Sequence, residues 1–284
     1  MAQNLATKYS PKVSERLKKA TVIGSLTNRN YDWKGVDTVK LYSVDTFNMN
    51  DYQRSGDNRY GDPEETGTTL QTWQVSQDRS FSGTIDTLNN SQSMGVLKPG
   101  SVLARQIREE VVPEVDAYVL QVMATAGVTA SRDDIVTDAA TTKDNAWTNL
   151  VSLKADIVDN EGKDNGLYAV MTSDYYAFLL QSGFVLASDR GQAKNETGNL
   201  GTIDGMQVRI ASSGRMPSTS GSGSSNIDLM IVHPEVTTFA DVLTDYVTHT
   251  NPKGINGTLI EGRVAYDAFV DTNKVNEIAI HATS

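Results

Sequence analysis

Apolar side chains recur at nearly every fourth position between residues 103 and 122, and this spacing predicts one long helix. The recurring residues are Leu103, Ile107, Val111, Val115, Val119 and Val122. They would form one stripe along a helix of about 26 residues, roughly 39 Å long. Pro113 lies inside the stripe, where proline removes a backbone donor and costs about 3 kcal/mol or more. The pattern therefore predicts either a kinked helix or two abutting helices, and Gly127 is expected to end it.

Alternation of polar and apolar positions predicts β-strands on both sides of a polar segment. Residues 36–44 alternate and are rich in β-branched side chains, and residues 70–86 also alternate. The segment between them has few apolar residues and contains Gly56, Gly61 and Gly67. A two-stranded hairpin is marginal in water on its own. We therefore interpret residues 38–88 as an extended β-hairpin ordered by packing on a surface outside its own domain; an unstructured surface loop is the alternative.

The middle of the chain has the pattern of a separate α/β unit. Its predicted elements are a helix at 146–158, a strand at 166–173, a short helix at 173–183, a turn and strand at 201–212, a strand at 227–232, and a helix at 233–243 begun by Pro234. The last part of the chain is strand-like, with a turn expected at residues 271–274.

Charge is distributed unevenly and changes the interpretation of the N-terminus. The 284 residues carry a formal charge of −10, but the first 40 hold eight basic and three acidic residues, which leaves −15 for the rest. Lys12, Arg16 and Lys19 would share one face of a short helix beginning after Ser10. This basic face is either solvated, or it lies on an acidic surface or near nucleic acid. The acidic remainder argues against a general DNA-binding protein.

Candidate chemistry is sparse. The chain has no cysteine, which excludes disulfides, thiol nucleophiles and cysteine-bound metal. Its three histidines, His233, His249 and His281, have no histidine or carboxylate partner at metal-binding spacing. We therefore predict no catalytic residue, no cofactor and no metal site. A hydrolase that uses aspartate or glutamate is an alternative, but no paired carboxylates can be found for it by spacing. No apolar run approaches the roughly 18–20 residues that span a bilayer, so no membrane is expected.

Several segments, taken in order, resemble the major capsid proteins of tailed bacteriophages, which have the Hong Kong 97 fold. The resemblance is carried by VDTVKLYSV, YQRSGDNRYGDPEE, FSGTIDTLNNSQS, RQIREEVVPEVDAYVLQVMA, IDGMQVRIASSGRMP and GRVAYDAFVDTNKVNEIAI. It covers most of the chain. No single motif is a strict signature, and the ordered set carries the likeness.

The resemblance implies an α+β capsid fold with four parts. They are an N-terminal arm (1–37), an extended β-hairpin loop (38–88), a peripheral domain of a long spine helix and a β-sheet (89–129 and 246–284), and an α/β axial domain (130–245). It also implies a structural protein without enzymatic activity, which self-assembles into the pentamers and hexamers of an icosahedral phage head around double-stranded DNA. An encapsulin-type nanocompartment shell that encloses cargo enzymes is the alternative.

The resemblance implies partners and a location as well. The partners are copies of the same chain, a separate scaffolding protein, a portal and packaged DNA bound non-specifically, with assembly in the host cytoplasm and a final place in the virion capsid. Some family members crosslink subunits through a lysine on the extended loop, but this chain has no lysine between Lys40 and Lys98. A shell without that covalent bond is therefore expected. About 37 residues precede the first predicted strand, which favours a separate scaffolding protein over a built-in one.

Contacts between subunits are expected where the loop of one copy meets the acidic helix of the next. The candidates on the loop are Arg54, Arg59, Trp73 and Arg79, and those on the helix are Glu109, Glu110, Glu114 and Asp116. Pairing of these charges within one subunit is the alternative.

Overall fold

The computed structural model describes residues 21–31, 33, 38–92, 97–129, 136–138, 141–182, 201–219 and 226–283. Its strands are β1 (Thr38–Val44), β2 (Thr68–Gln74), β3 (Gln77–Asp86), β4 (Val136–Asp138), β5 (Tyr168–Thr172), β6 (Thr202–Ile203), β7 (Met206–Ala211), β8 (Ile227–Val232), β9 (Thr237–Thr250), β10 (Gly257–Val270) and β11 (Ile278–Thr283). Its α-helices are α1 (Thr87–Gln92), α2 (Pro99–Gln106), α3 (Val112–Thr129), α4 (Ala146–Asp159) and α5 (Ser173–Gln181).

A six-stranded mixed sheet, with strand order β4-β11-β8-β5-β7-β6, carries helices on both faces. Alternate residues of a strand point to opposite faces of a sheet. Val170 and Met230 accordingly pack on the side of α3, whereas Ala169, Leu229 and Ile231 pack on the side of α4 and α5. The result is a three-layer core, and the helices and strands predicted between residues 146 and 232 are present.

A three-stranded antiparallel ribbon, with order β3-β10-β9, forms the second sheet. β9 occupies residues for which a helix was predicted at 233–243, and that prediction is wrong. Pro234 begins only a turn, in which the Val236 amide donates to the His233 carbonyl at 3.1 Å. Thr237 and Thr238 then enter the ladder with β10, because β-branched side chains suit a strand whose partner is available.

The division of the last part of the chain also differs from the expectation. The boundary expected at residues 245/246 falls inside β9, which is one continuous strand from Thr237 to Thr250. The C-terminal strand β11 pairs with β8 and β4 in the six-stranded sheet, not with the ribbon. A 3₁₀ turn at Thr272–Glu277, close to the predicted turn, carries the chain from the ribbon back to the six-stranded sheet.

The long helix is interrupted where Pro113 predicted a disturbance. α2 and α3 are joined by one π-helical turn, Ile107–Val111, in which the Val112 amide donates to the Ile107 carbonyl. Pro113 has no amide hydrogen and cannot continue the regular pattern of bonds, so the wider turn just before it accommodates the ring. The disturbance is thus a π-bulge within one helix that runs to Thr129.

Gly127 does not end the helix, contrary to expectation. It lies where α3 crosses β11, and a Cβ atom there would sit 2.6 Å from Cδ1 of Ile280. Real Cβ atoms do not approach so closely, so this glycine allows the helix to pack tightly on the sheet.

By length and composition alone, the combined helix Pro99–Val128 could cross a membrane, which differs from the sequence-based expectation. Its Val119, Leu120 and Met123 are fully buried, however, and contribute to the core against the six-stranded sheet. Core helices of globular proteins have the same composition, because they too are apolar on the side that packs.

Residues 21–31 and 33, called the strap below, pack across the body of the protein. Val22, Ile23 and Leu26 are buried in the same core as α3. Part of the segment expected to be an N-terminal arm is therefore built into the subunit. The basic residues Lys12, Arg16 and Lys19 lie outside the described residues.

Candidate assembly interface

The hairpin formed by β1 and β2 has one face that packs on the body and one that is exposed. The strands pair antiparallel from Thr38↔Gln74 to Val44↔Thr68. On the exposed face lie Tyr42, Val44 and Leu70, whose residues are 71%, 65% and 46% exposed. An apolar patch of this kind on one face of a hairpin marks a surface that contacts another molecule.

The apolar surface continues into the distal loop, residues 45–67, which connects β1 to β2. Its exposed large side chains are Phe47, Met49, Tyr52 and Tyr60. The loop has structure of its own: the Gln53 amide donates to the Arg59 carbonyl at 3.0 Å, and the rings of Tyr52 and Tyr60 meet edge to face at 5.1 Å.

The sequence-based prediction did not include these exposed apolar side chains, because most residues of the segment are polar. A signal was present in β1, which has apolar residues at odd and even positions alike: Val39 and Leu41 face the body, while Tyr42 and Val44 face outward. A strand that is apolar on both faces is one that is covered on both faces.

Trp73 lies in an aromatic cluster at the base of the hairpin. It is 7% exposed, its indole stacks on the Phe269 ring of β10 at 5.4 Å, and Tyr31 of the strap meets it edge to face at 5.6 Å. Trp33 stacks on the same Phe269 ring at 5.1 Å. Most of the Trp73 surface is therefore covered within its own chain, and its contact with a neighbouring subunit stays a prediction.

A second set of contacts holds the junction between β2 and β3. Asp267 of β10 accepts hydrogen bonds from the Ser76 amide at 2.8 Å, the Ser76 hydroxyl at 2.9 Å and the Tyr118 hydroxyl at 2.7 Å. One buried carboxylate thus joins the hairpin, the ribbon and the long helix. The expectation that the whole segment takes its order from outside its own domain is wrong for residues 68–86, which are tied to the body of their own subunit.

Arg79 pairs within its own chain. It lies on β3, and its Nε donates to Oε1 of Glu114 on α3 at 2.6 Å across a cleft between ribbon and helix. Both side chains are largely exposed, at 61% and 48%. Beneath the pair, burial raises the pKa of Tyr266 to about 12, with Glu114 adding to the shift, so the phenol stays protonated.

The other acidic residues of the helix differ in exposure. Glu109 is buried and accepts a hydrogen bond from Nε of Arg105, one turn earlier, at 2.9 Å, and its contact with another copy stays a prediction. Glu110 is exposed, as are Arg54 and Arg59 on the distal loop. Contacts of these three residues with another copy stay a prediction.

Asp116 is the clearest departure from the predicted interface. It is 1% exposed and accepts hydrogen bonds from Nη1 of Arg215 at 2.8 Å, the Val22 amide at 2.9 Å and the Thr21 hydroxyl at 2.6 Å. Asp116 therefore joins the helix to the strap and to the segment after β7. The carboxylate is thus buried and bonded within its own subunit, and its contact with another subunit stays a prediction.

The histidines do not assemble a metal site within the described part of the chain. Nδ1 of His233 lies 3.2 Å from Oε2 of Glu277, and Nε2 of His281 lies 2.9 Å from Nδ2 of Asn149. No group of three or more metal-binding side chains converges among the described residues.

Comparison with known proteins identifies the fold. No protein-family model and no curated protein matches this chain. Among solved structures it is similar to a chain from Mycobacterium phage Che8, with 18% identity, a TM-score of 0.77, and 98% of this chain and 96% of that chain covered. It is similar to the capsid structure of the Cyanophage P-SCSP1u, with 13% identity, a TM-score of 0.75 and coverage of 98% and 93%. It is also similar to the asymmetric unit of the mature capsid of bacteriophage PhiM1, with 10% identity, a TM-score of 0.71 and coverage of 98% and 92%.

These matches span almost the whole of each chain. The protein therefore has the fold of these phage structures, and the predicted Hong Kong 97-like capsid fold is confirmed.

Proposed function

We propose that this protein is a structural capsid subunit that assembles with copies of itself into a phage-type shell. The observation that carries the proposal is the match over 98% of the chain to structures of phage capsids. The exposed apolar face of the hairpin and distal loop supports it, because that surface has no use in an isolated subunit. In this proposal the chain acts by binding its neighbours and has no catalytic role.

The parts of the fold then take the following roles. Residues 38–88 are the extended loop, of which the β1–β2 hairpin and the distal loop reach a neighbouring subunit while β3 anchors the loop in the ribbon; the long helix with β9 and β10 is the peripheral domain. The six-stranded sheet with α4 and α5 is the axial domain, placed toward the centre of rings of five or six subunits. Residues before the strap form an arm that also reaches a neighbour.

Charge favours contact between that arm and the distal loop of another copy. Residues 1–20 hold five basic and one acidic residue, whereas residues 45–67 hold six acidic and two basic residues. The opposite signs attract, and the exposed aromatic side chains of the loop can pack beside the paired charges. Within a shell, each such contact reinforces the others through multivalency.

Further partners follow from the same proposal. A scaffolding protein would guide assembly, a portal would occupy one vertex, and double-stranded DNA would be packaged without sequence-specific contacts. Assembly would take place in the host cytoplasm, and the finished protein would lie in the virion capsid.

Sedimentation of the purified full-length chain tests the proposal. We expect particles far larger than the 30.8 kDa monomer. The matched control replaces residues 46–66 with Asn-Gly, a favoured two-residue hairpin turn that keeps the β1–β2 register. This variant should fold but stay small, since it lacks the distal loop. Particles of normal size from the variant would show that the distal loop does not hold subunits together.

Charge reversal at Arg79 is expected to impair assembly and leave the subunit folded. Because the pair with Glu114 is exposed, its loss should change subunit stability little. The double variant Arg79→Glu/Glu114→Arg restores the pair within the subunit. If Arg79 also contacts a neighbour, electron microscopy will find few particles for both variants. Normal assembly by the single variant, or full rescue by the double variant, would contradict that contact.

A shell without covalent crosslinks is a further expectation. The chain has no lysine between Lys40, on β1, and Lys98, and it has no cysteine, so neither isopeptide bonds from the distal loop nor disulfides can form. Purified particles should give one band near 30.8 kDa on a boiled denaturing gel. A ladder of larger species that survives boiling and reductant would contradict this expectation.

A further inference from the structure

The strap is fixed to three separate parts of the subunit: the long helix, the edge of the ribbon and the base of the hairpin. At its start, the Thr21 hydroxyl and the Val22 amide donate to Asp116 on the long helix. Leu26 is fully buried in the core beneath that helix. The start of the strap is therefore held by buried polar and apolar contacts together.

The middle of the strap follows the outer edge of β9. The Asn28 amide donates to the Thr237 carbonyl at 2.9 Å, and the Phe239 amide donates to the Asn28 carbonyl at 3.0 Å. The Asn28 side chain also accepts from the Thr238 hydroxyl at 2.8 Å. These bonds hold Asn28 in fixed register beside β9.

The end of the strap lies at the base of the hairpin. Tyr31 contacts Trp73 of β2, and Trp33 is 2% exposed and stacks on Phe269. Val39 and Leu41 of β1 pack against the same aromatic cluster. Both strands of the hairpin thus rest on a cluster to which the strap contributes two rings.

We propose that the strap couples the long helix and its core to the direction of the extended hairpin. When the strap is docked at Asp116 and Leu26, its aromatic end holds the hairpin base in place. When the start of the strap is released, the rings of Tyr31 and Trp33 lose their fixed position and the hairpin is free to turn about the Ser76 junction. The consequence for a shell rests on the proposed function, because the hairpin carries the surface offered to a neighbour.

Hydrogen exchange of the full-length chain, with every variant measured in the same oligomeric state, tests the coupling. Leu26→Ala loosens the start of the strap without altering the aromatic cluster. We expect amides of β1 and β2 to exchange at least about fivefold faster in this variant, as local opening becomes easier. The matched control is Leu150→Ala, which removes an equally buried leucine from the opposite face of the six-stranded sheet and should leave the hairpin within about twofold of wild type.

A second pair of variants, at Trp33, tests whether the aromatic end of the strap transmits the effect to the hairpin. Trp33→Phe replaces the indole by a smaller aromatic ring that can still stack on Phe269, and the indole N–H that is lost has no hydrogen-bond partner among the described residues, so hairpin exchange should change by less than about twofold. Trp33→Ala should accelerate it, and adding Leu26→Ala to Trp33→Ala should then have little further effect. Equal effects of Leu26→Ala and Leu150→Ala on the hairpin, or an undiminished effect of Leu26→Ala in the Trp33→Ala background, would overturn the proposal. Because exchange is read within the subunit, this outcome is distinct from a failure to form shells.

Discussion

Replacing Asp116 with alanine is expected to lower the free energy of unfolding by about 3–5 kcal/mol, because it breaks the buried ion pair with Arg215. The side chains of Asp116 and Arg215 are only 1% and 7% exposed, so water cannot replace the lost carboxylate. The variant also leaves the Thr21 hydroxyl and the Val22 amide without their acceptor. Chemical denaturation monitored by circular dichroism would measure the change.

A double variant separates the charge from the packing. In Asp116→Leu/Arg215→Met both charged groups are replaced by apolar side chains, and such exchanges of a buried pair are often neutral or stabilising. We expect most of the lost stability to return. A single Asp116→Ala variant as stable as the wild type would show that the buried pair does not hold the strap to the helix.

Replacing Trp73 with alanine is expected to cost about 3–5 kcal/mol of local stability at the hairpin base, the usual range for a large buried aromatic side chain. The variant loses the stack on Phe269 and the edge contact with Tyr31. Since the six-stranded sheet and its core lie elsewhere, the subunit should remain folded while assembly falls. Limited proteolysis would show new cleavage in the hairpin, and sedimentation would show fewer particles.

Trp73→Phe provides the control, because it keeps an aromatic ring at the base and should assemble better than the alanine variant. An alanine variant that is cleaved like the wild type and forms as many particles would mean that the aromatic cluster does not fix the position of the hairpin. It would also remove the support for a subunit that presents its loop in a defined direction.

The spacing of apolar residues within a segment correctly predicted the elements whose buried face is determined by that segment alone. The stripe of the long helix and the disturbance at Pro113 are properties of a single segment, and both were predictable. The same holds for α4, where Leu150, Leu153 and Ile157 lie at helical spacing. The helix predicted at residues 233–243 failed because the pairing of β9 with β10 outweighed a local start signal.

The residues of the candidate interface were harder to predict, because whether each side chain is buried or exposed depends on partners that are distant in the sequence. Asp116 meets Arg215 across 99 positions, and Trp73 meets Phe269 across nearly 200. Charge in a sequence does not show whether a carboxylate is exposed or buried beside a distant arginine. The exposed residues Tyr42 and Leu70 could have been found, since apolar side chains on both faces of a strand indicate that both are covered.

Cryo-electron microscopy of particles formed by the purified chain would show directly whether copies assemble through the distal loop, residues 45–67. We expect closed or partial shells built from rings of five and six copies, with the distal loop of each copy lying on a neighbouring subunit. A chain that remains a 30.8 kDa monomer at every protein concentration, or a particle in which the distal loops project into solvent without touching a neighbour, would contradict it.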